Sequence, residues 1–293
     1  MPSSLYDLYL KSLNPSAWWK LADAVGSGTA VDSSGNGWTG TVVGGVTFGQ
    51  PGPVPGNSSA LFDGTTGYIT TAYNPGGSTF TSVSWYRSSA SGSTNIILDS
   101  GAAENNNGLG LWLTSSGNLK GAAKGSLTAP AISNDGLWHF GVYAFTSNTQ
   151  NLYQDGVQVI SASGPIAPIT GDYGLRIGAY GGGLFDYFSG SAAEVAVFPY
   201  ALSAAQIGQL YSLAGTPAKQ FTTGTQRAYT LADFLMQVNS DSQQAVQPQL
   251  GEPVQVMAPL QENLMPSDSV ALSVLAPGTT WSTATYGEAS CVA

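Results

Sequence analysis

The sequence predicts an all-β fold in which antiparallel strands pack as a sandwich. Residues 138–145 carry an apolar side chain at every second position, and this period of two is typical of a strand. The chain has 293 residues and 38 glycines, and frequent glycine fits the many tight turns of a sandwich. Hydrophobic residues make up 42% of the chain, so it can bury a substantial core.

The stretch 137–157 predicts two consecutive hairpins in the middle of an antiparallel sheet. Residues 138–145 form the first strand, the polar run 147–150 forms a turn, and Leu152 begins the second strand. Asp155–Gly156 then predicts a type I′ turn, because both central positions of that turn need a positive φ.

These residues also carry a family resemblance. Trp138-His139, a turn, and then Leu-Tyr-Gln-Asp-Gly at 152–156 resemble the WH…LYxDG signature of laminin-G-like domains in the concanavalin A-like lectin/glucanase superfamily. Other motifs that resemble this family follow in its order at residues 17–21, 31–41, 60–69, 80–86, 188–198 and 201–211. The resemblance covers about residues 15–214 and implies a jelly-roll of two antiparallel sheets. Further strands are predicted at residues 95–100, 109–113 and 175–178.

Both ends of this domain have residue patterns that are compatible with a helix. Residues 1–14 form a short arm with a helix-compatible apolar pattern, which should dock on its own sandwich or on a neighbour. A short helix closes the domain, because Ser203 and Gln206 have the spacing of a capping box.

Residues 215–293 form a C-terminal extension that lies outside the resemblance. A helix is predicted at residues 230–238 and a strand at residues 270–275, separated by a stretch rich in glutamine and proline. Apolar residues are too thinly spread for an independent core. Two interpretations stay open: a disordered tail, or an extended arm that orders against other copies or another protein.

Composition excludes several partners. The chain has eight basic and seventeen acidic residues and a net charge of −9, which argues against nucleic acid and against an anionic membrane surface. No apolar run approaches the 18 residues of a membrane span, and the N-terminus lacks a secretory signal pattern. Cys291 is alone, which excludes an internal disulfide and a cysteine metal site.

A catalytic role is not expected. Glycoside hydrolysis needs two carboxylates at a defined spacing, and glycosidases of the superfamily carry Glu-x-Asp strands that this chain lacks. The single histidine, His139, lies in the Trp138-His139 strand without a visible nucleophile or metal partner, so a structural role is expected for it.

One structural calcium ion is the candidate cofactor, and the resemblance implies its ligands. Relatives use the aspartate of the DxSGNG loop, here Asp32, and acids near a later strand, here Glu194. Ala193 stands where the family usually has aspartate, so the second half of the motif is incomplete. The alternative is that Asp32 stabilises its own turn.

A glycan site is the candidate ligand site. Sugar-binding sites combine aromatic platforms with amides and carboxylates at a loop rim. Loops 180–188 and 100–108 have this composition, and their candidate ligand-binding residues are Glu104, Asn106, Tyr180, Phe185, Asp186 and Tyr187. The alternative is that these aromatic residues pack between the sheets or against a neighbour.

Three functions compete. The first is a structural virion protein, such as a phage tail or capsid-decoration component. It would be assembled in the host cytoplasm, with itself and other virion proteins as partners, and could attach to a host glycan. The second is a secreted bacterial carbohydrate-binding protein, which would be extracellular, and the third is a degraded glycosidase. We expect the first, because a signal is lacking and both flanks look like arms that favour a homo-oligomer.

Overall fold

The computed structural model describes residues 4–101, 108–170, 173–181, 185–215, 272–274 and 282–284. The chain divides into two units, Met1–Gln220 and Phe221–Ala293. The first unit contains two eight-stranded antiparallel sheets, which confirms the predicted two-sheet jelly-roll. Its strands in chain order are β1 (Ala17–Trp19), β2 (Thr29–Ala30), β3 (Gly40–Val43), β4 (Val46–Pro51), β5 (Ser58–Asp63), β6 (Tyr68–Thr70), β7 (Phe80–Arg87), β8 (Asn95–Asp99), β9 (Gly110–Leu113), β10 (Asn118–Ala122), β11 (Ser126–Ile132), β12 (His139–Phe145), β13 (Thr149–Gln154), β14 (Val157–Ser163), β15 (Arg176–Ile177) and β16 (Ser189–Phe198).

In the second unit, the described residues form a short antiparallel hairpin. Its strands are β17 (Leu272–Val274) and β18 (Ser282–Ala284). Strand β17 lies within the strand predicted at residues 270–275. The helix predicted at residues 230–238 lies outside the described residues.

The strand order of each sheet shows where the predicted hairpins lie. The first sheet runs β14-β13-β12-β7-β16-β5-β4, with β1 also paired to β16, and the second runs β11-β10-β9-β8-β15-β6-β3-β2. The turn between β13 and β14 has the predicted geometry, because Asp155 and Gly156 have φ values of 53° and 79°. The prediction that these hairpins lie mid-sheet is wrong, since β14 is the edge strand of the first sheet. Its largely exposed side chains suit that position.

In the first unit, strands β2, β4, β10 and β11 have no counterpart in the sequence prediction. Three of them are edge strands, β4 in the first sheet and β2 and β11 at the two ends of the second. Strands β4 and β11 contain Pro51 and Pro130, which an edge strand tolerates because one of its backbone faces makes no ladder hydrogen bonds. The pairing of β4 with β5 and of β11 with β10 therefore depends on the neighbouring strand more than on the residue pattern of β4 or β11.

Strand β7 shows that the first sheet is apolar on both faces. Its inward side chains Phe80 and Tyr86 belong to the core between the sheets. Its outward side chains Val83 and Trp85 belong to a second apolar cluster on the outer face of the sheet. An apolar outer face requires a cover, and two helices supply it.

Helix α1 (Leu5–Ser12) is the first cover. It begins with a capping box in which Ser4 Oγ accepts a hydrogen bond from the Asp7 backbone N–H and the Asp7 carboxylate accepts one from the Ser4 N–H. Tyr6 and Leu10 are fully buried in the outer cluster. Of the two dockings predicted for the N-terminal arm, the structure shows the one on its own sandwich.

Helix α2 (Ala204–Leu213) is the second cover. The predicted capping box is confirmed, since Ser203 Oγ accepts from the Gln206 N–H and Gln206 Oε1 accepts from the Ser203 N–H. Ile207 and Leu210 are fully buried in the same outer cluster as α1. Among the described residues, neither helix nor any other is long and apolar enough to span a lipid bilayer.

A buried polar network joins α1 to the sandwich. Lys20 Nζ lies 2.7 Å from Asp7 Oδ2, and the Asn57 amide donates to Asp7 Oδ1 at 2.9 Å. The same amide donates to Glu194 Oε1 at 2.7 Å, and the Trp18 indole N–H donates to Glu194 Oε2 at 2.8 Å. The helix is therefore held by oriented hydrogen bonds as well as by apolar burial.

Glu194 reaches this network through an irregularity in β16. The register of β16 against β7 shifts between Ala193 and Ala196, and Glu194 itself has a φ of 54°. A bulge of this kind redirects a side chain while its neighbours keep their faces. Burial raises the pKa of Glu194 to about 8, and the nearby charge of Asp7 acts in the same direction. The raised pKa favours the neutral form of the Glu194 carboxyl group at pH 7.

We predict that Glu194→Gln becomes more stable relative to wild type as the pH rises. Folded wild type keeps a proton that the unfolded chain releases above about pH 4.3, so its free energy of unfolding falls as the pH rises towards the folded pKa of about 8. Glutamine has no such proton, so the free energy of unfolding of Glu194→Gln minus that of wild type should grow by at least about 1 kcal/mol between pH 5 and pH 8.5. Urea denaturation of both proteins across this pH range measures the two free energies.

Glu194→Ala is the matched comparison. It leaves the buried donors of Trp18 and Asn57 without their acceptor and opens a cavity, so it should cost about 2–4 kcal/mol at pH 6. A difference between wild type and Glu194→Gln that stays constant with pH would show that Glu194 is charged in the folded protein.

A second ionisable group clamps the β12–β13 hairpin. His139 Nδ1 lies 2.8 Å from Asp155 Oδ2, and His139 Nε2 lies 3.1 Å from Asp135 Oδ1. Asp155 Oδ1 also accepts from the Phe140 N–H at 2.8 Å. Partial burial opposes the charged imidazole, but the two carboxylates outweigh it and raise the pKa of His139. These contacts agree with the structural role expected for this histidine.

We predict that His139→Gln destabilises the protein most at low pH. Because the folded pKa of His139 is raised, its charge-dependent stabilisation is complete below the unfolded pKa of about 6.5 and is lost as the pH rises through the folded value. The variant should cost about 1 kcal/mol more at pH 5.5 than at pH 9. Thermal unfolding at both pH values checks this, and an equal loss at both would contradict a charged clamp.

Candidate functional site

A small cavity opens on the outer face of the second sheet. Trp112 marks this face, because its neighbours Leu111 and Leu113 point into the core and successive side chains of a strand alternate. The cavity has a volume of about 90 Å³ and is lined by Thr94, Ile96, Asp99, Trp112, Tyr180, Phe185 and Asp186.

Aromatic side chains form its walls. Trp112 on β9 lies directly opposite Ile96 on β8, and both are almost completely buried. The rings of Tyr180 and Phe185 lie 4.6 Å apart between centroids. Phe185 is 52% exposed, so the rim offers an open aromatic surface. Such a surface can stack against the apolar face of a sugar ring.

The loop that carries Tyr180 is tied to the sheet from two neighbouring strands. Asp99 Oδ2, at the end of β8, accepts from the Gly181 N–H at 2.9 Å and from the Gly101 N–H at 3.2 Å. Arg176 Nη1, on β15, donates to the carbonyl oxygens of Tyr180 at 3.2 Å and Gly181 at 2.8 Å. A Cβ atom at Gly181 would lie 2.8 Å from Asp99 Oδ2, so this close approach requires glycine.

The cavity also contains two carboxylates from distant parts of the sequence. Asp186 has a φ of 53°, and its carbonyl oxygen accepts from the Ile96 N–H at 3.2 Å. This bond brings the segment after the loop against β8, so that Asp186 and Asp99 line the same cavity. Ionised carboxylates accept hydrogen bonds from hydroxyl groups, so the cavity combines aromatic and hydroxyl-binding surfaces.

The structure brings together three of the predicted glycan-site residues. Tyr180, Phe185 and Asp186 line the cavity. Tyr187 lies beside it, with its ring centroid 6.4 Å from that of Tyr68.

Two further candidates, Glu104 and Asn106, lie outside the described residues. The preceding Gly101 is bound to Asp99, which also binds the Tyr180 loop. This shared carboxylate joins the described parts of the two candidate loops.

Sequence reasoning missed four lining residues, namely Ile96, Asp99 and Trp112 on the strands and Thr94 just before β8. For Trp112 a signal was present, since it alternates with two leucines and so lies on the face opposite the core. Asp99 carried no such signal, because its role depends on Gly181, which is distant in sequence.

The candidate calcium ligands are engaged with protein donors. Asp32 accepts from the backbone N–H groups of Trp18, Ser34 and Trp38 at 2.9–3.0 Å and from Ser34 Oγ at 2.8 Å. Burial opposes its charge, but these donors outweigh burial and lower the pKa of Asp32. This arrangement fits the alternative interpretation, in which Asp32 stabilises its own turn.

These residues do not fit a calcium ion in this arrangement. Calcium takes six to eight oxygen ligands, whereas the oxygens of Glu194 receive hydrogen bonds from Trp18 and Asn57. Within the described part of the chain, no group of three or more histidine, cysteine, aspartate or glutamate residues could hold a metal ion. Calcium binding stays an untested prediction.

Comparison with known structures supports the two-sheet fold. The binding domain of Paraclostridial Mosquitocidal Protein 1 has a TM-score of 0.56 and 16% identity, over 69% of this chain and 52% of that chain. Domain 4 of AbnA, a GH43 extracellular arabinanase from Geobacillus stearothermophilus, was solved with arabinotriose. It has a TM-score of 0.52 and 16% identity, over 68% of this chain and 98% of that domain.

A third similar structure is the ligand-binding domain of botulinum neurotoxin serotype D in complex with N-acetylneuraminic acid. It has a TM-score of 0.53 and 14% identity, over 68% of this chain and 51% of that chain. The match therefore spans about half the length of the two toxin domains. At these identities the likeness shows the fold alone.

Sequence comparison gives the family. No curated protein is significantly similar to this chain in sequence. Residues 63–208 match a laminin G family model described as the concanavalin A-like lectin/glucanases superfamily. Together with the two-sheet jelly-roll, this match shows that the chain belongs to the concanavalin A-like lectin/glucanase superfamily through a lectin-like, laminin G-like domain.

Proposed function

We propose that this chain is a non-enzymatic carbohydrate-binding protein whose site is the cavity on the outer face of the second sheet. One observation carries the proposal: the exposed ring of Phe185 and the carboxylate of Asp186 share a cavity with Trp112. Stacking on the rings and hydrogen bonding to the carboxylates match the two kinds of surface on a sugar.

Two similar structures support this choice of ligand. The arabinanase domain was solved with arabinotriose and the neurotoxin domain with N-acetylneuraminic acid. The neurotoxin structure is a ligand-binding domain and the arabinanase structure is a single domain in complex with a sugar, which supports a role in attachment rather than in catalysis.

The role of Asp99 also supports a non-enzymatic site. Hydrolysis of a glycosidic bond needs one carboxyl group to donate a proton and another to act as nucleophile or base. Asp99 instead accepts hydrogen bonds from the backbone N–H groups of Gly101 and Gly181. Its carboxylate therefore holds the two loops in place.

We further propose that the chain is a structural virion protein, a phage tail or capsid-decoration component. In this proposal, Phe221–Ala293 is the part that assembles with other copies or with other virion proteins, and the lectin-like domain attaches to a host glycan. The separate second unit supports this division of labour. The alternative is a secreted bacterial carbohydrate-binding protein, which the similarity to a domain of an extracellular arabinanase favours.

We predict that Phe185→Ala abolishes measurable sugar binding while the fold is kept, because Phe185 is half exposed and its ring packs against that of Tyr180. Isothermal titration with arabino-, xylo- and gluco-oligosaccharides should show binding to wild type. Leu5→Ala is the control, since Leu5 is 71% exposed on α1 over the other sheet.

Two results would contradict the proposal. Binding that survives in Phe185→Ala would place the site elsewhere. Chromatography should recover the oligosaccharides intact after incubation with the protein, and shortened products would show an enzyme.

We predict that the full chain forms a defined oligomer in solution and that a chain ending at Gln220 is a monomer. The expected cause is that Phe221–Ala293 provides the assembly contacts. Light scattering gives both masses. A monomeric full chain would contradict self-assembly, and two equal oligomers would place the contacts in the first unit.

A further inference from the structure

We infer that the site takes an oligosaccharide rather than a single sugar, and that Tyr68 and Tyr187 form a second aromatic platform beside the cavity. This inference rests on the proposed function and extends it to the class of ligand. It is carried by the position of Tyr68 on the sheet and by the contacts that hold the tyrosine pair.

Tyr68 lies on the same face as the cavity. Its neighbour on β6, Ile69, is fully buried in the core between the sheets, so alternation directs Tyr68 outwards. The same reasoning directs Trp112 outwards from β9. Both rings therefore belong to the outer face of the second sheet.

The two residues also lie at nearly the same height along their strands. The pairs that connect the strands are Ile69 with Ile177, Ile177 with Leu98, and Ile96 with Trp112. Strands β9, β8, β15 and β6 are consecutive neighbours in the sheet. Tyr68 is therefore three strand spacings from Trp112, or about 14 Å across the sheet. This distance exceeds the width of one sugar ring, so a ligand that contacts both must contain several sugar units.

The tyrosine pair is held in place by its surroundings. The rings of Tyr68 and Tyr187 lie 6.4 Å apart with an angle of 47° between their planes. The Arg176 guanidinium carbon lies 5.7 Å from the centre of the Tyr68 ring. Because Arg176 also donates to the Tyr180 and Gly181 carbonyls, it fixes the second platform relative to the cavity.

Chain connectivity joins the two platforms. Phe185 and Asp186 line the cavity, and Tyr187 follows them directly in sequence. Tyr68 and Tyr187 are both partly exposed. A bound chain of sugars would stack first on the cavity walls, pass the Asp186 carboxylate, and then reach the tyrosine pair.

The test is a series of ligand lengths measured on the full chain. Titration calorimetry would use arabinose, arabinobiose and arabinotriose, together with the corresponding xylose and glucose series. Wild type should bind the trisaccharide of at least one series more tightly than its monosaccharide. Tyr68→Ala and Tyr187→Ala should each weaken trisaccharide binding roughly tenfold, because each removes one aromatic contact. They should weaken monosaccharide binding much less than trisaccharide binding, and Leu5→Ala, which should bind every length like wild type, is again the control.

The outcomes separate this inference from the proposed function. If Phe185→Ala abolishes binding but mono- and trisaccharide bind wild type equally, and both tyrosine variants bind like wild type, the inference is overturned and the proposed function stands. If no sugar of any length binds wild type, both fail. Circular dichroism of each variant shows whether a loss of binding reflects a loss of fold.

Discussion

The first sheet is apolar on both faces, and this property determines how the domain is arranged. On β7, Phe80 and Tyr86 point into the core, whereas Val83 and Trp85 point outwards into a second cluster. Leaving that outer surface in water would cost roughly 25 cal/mol for each Å² of apolar area. Helices α1 and α2 pack over this surface and shield it from water, so both ends of the domain lie against the same sheet.

The second sheet has a different outer face. Both helices pack on the first sheet, whereas the outer face of the second carries Trp112, Arg176 and Tyr68 beside the cavity. Its inner residues supply the core, and its outer residues surround the candidate site. Under the proposed function, stability and binding would therefore depend on different surfaces of the sheets.

Networks of polar groups hold segments of the chain in place on both sheets. Asp99 and Arg176 hold the Tyr180 loop on the second sheet through backbone hydrogen bonds. Glu194 and Asn57 hold α1 on the first sheet through side-chain hydrogen bonds. Each buried group is costly unless it is paired, so these networks favour one geometry over its alternatives. The first network holds the loop of the candidate site, and the second holds the N-terminal arm.

Local features of the chain were readable from its residues. The alternation in β12, the turn at Asp155–Gly156 and the capping box of α2 each depend on neighbours within a few positions. The family resemblance and the two-sheet fold followed from the order of such segments. The aromatic loop around Tyr180 and Phe185 was also identified in this way.

The sequence by itself therefore determined the fold class, most strands of the first unit and helix α2, and it indicated a helix-compatible pattern where α1 lies, because periodicity, turn geometry and capping are local. Only the tertiary structure decided that the hairpins end at a sheet edge and that α1 docks on its own sandwich. It alone placed Asp99 beside Asp186 and Glu194 beneath a helix. These relations depend on strand register and on a bulge, which bring together residues that are far apart in the chain.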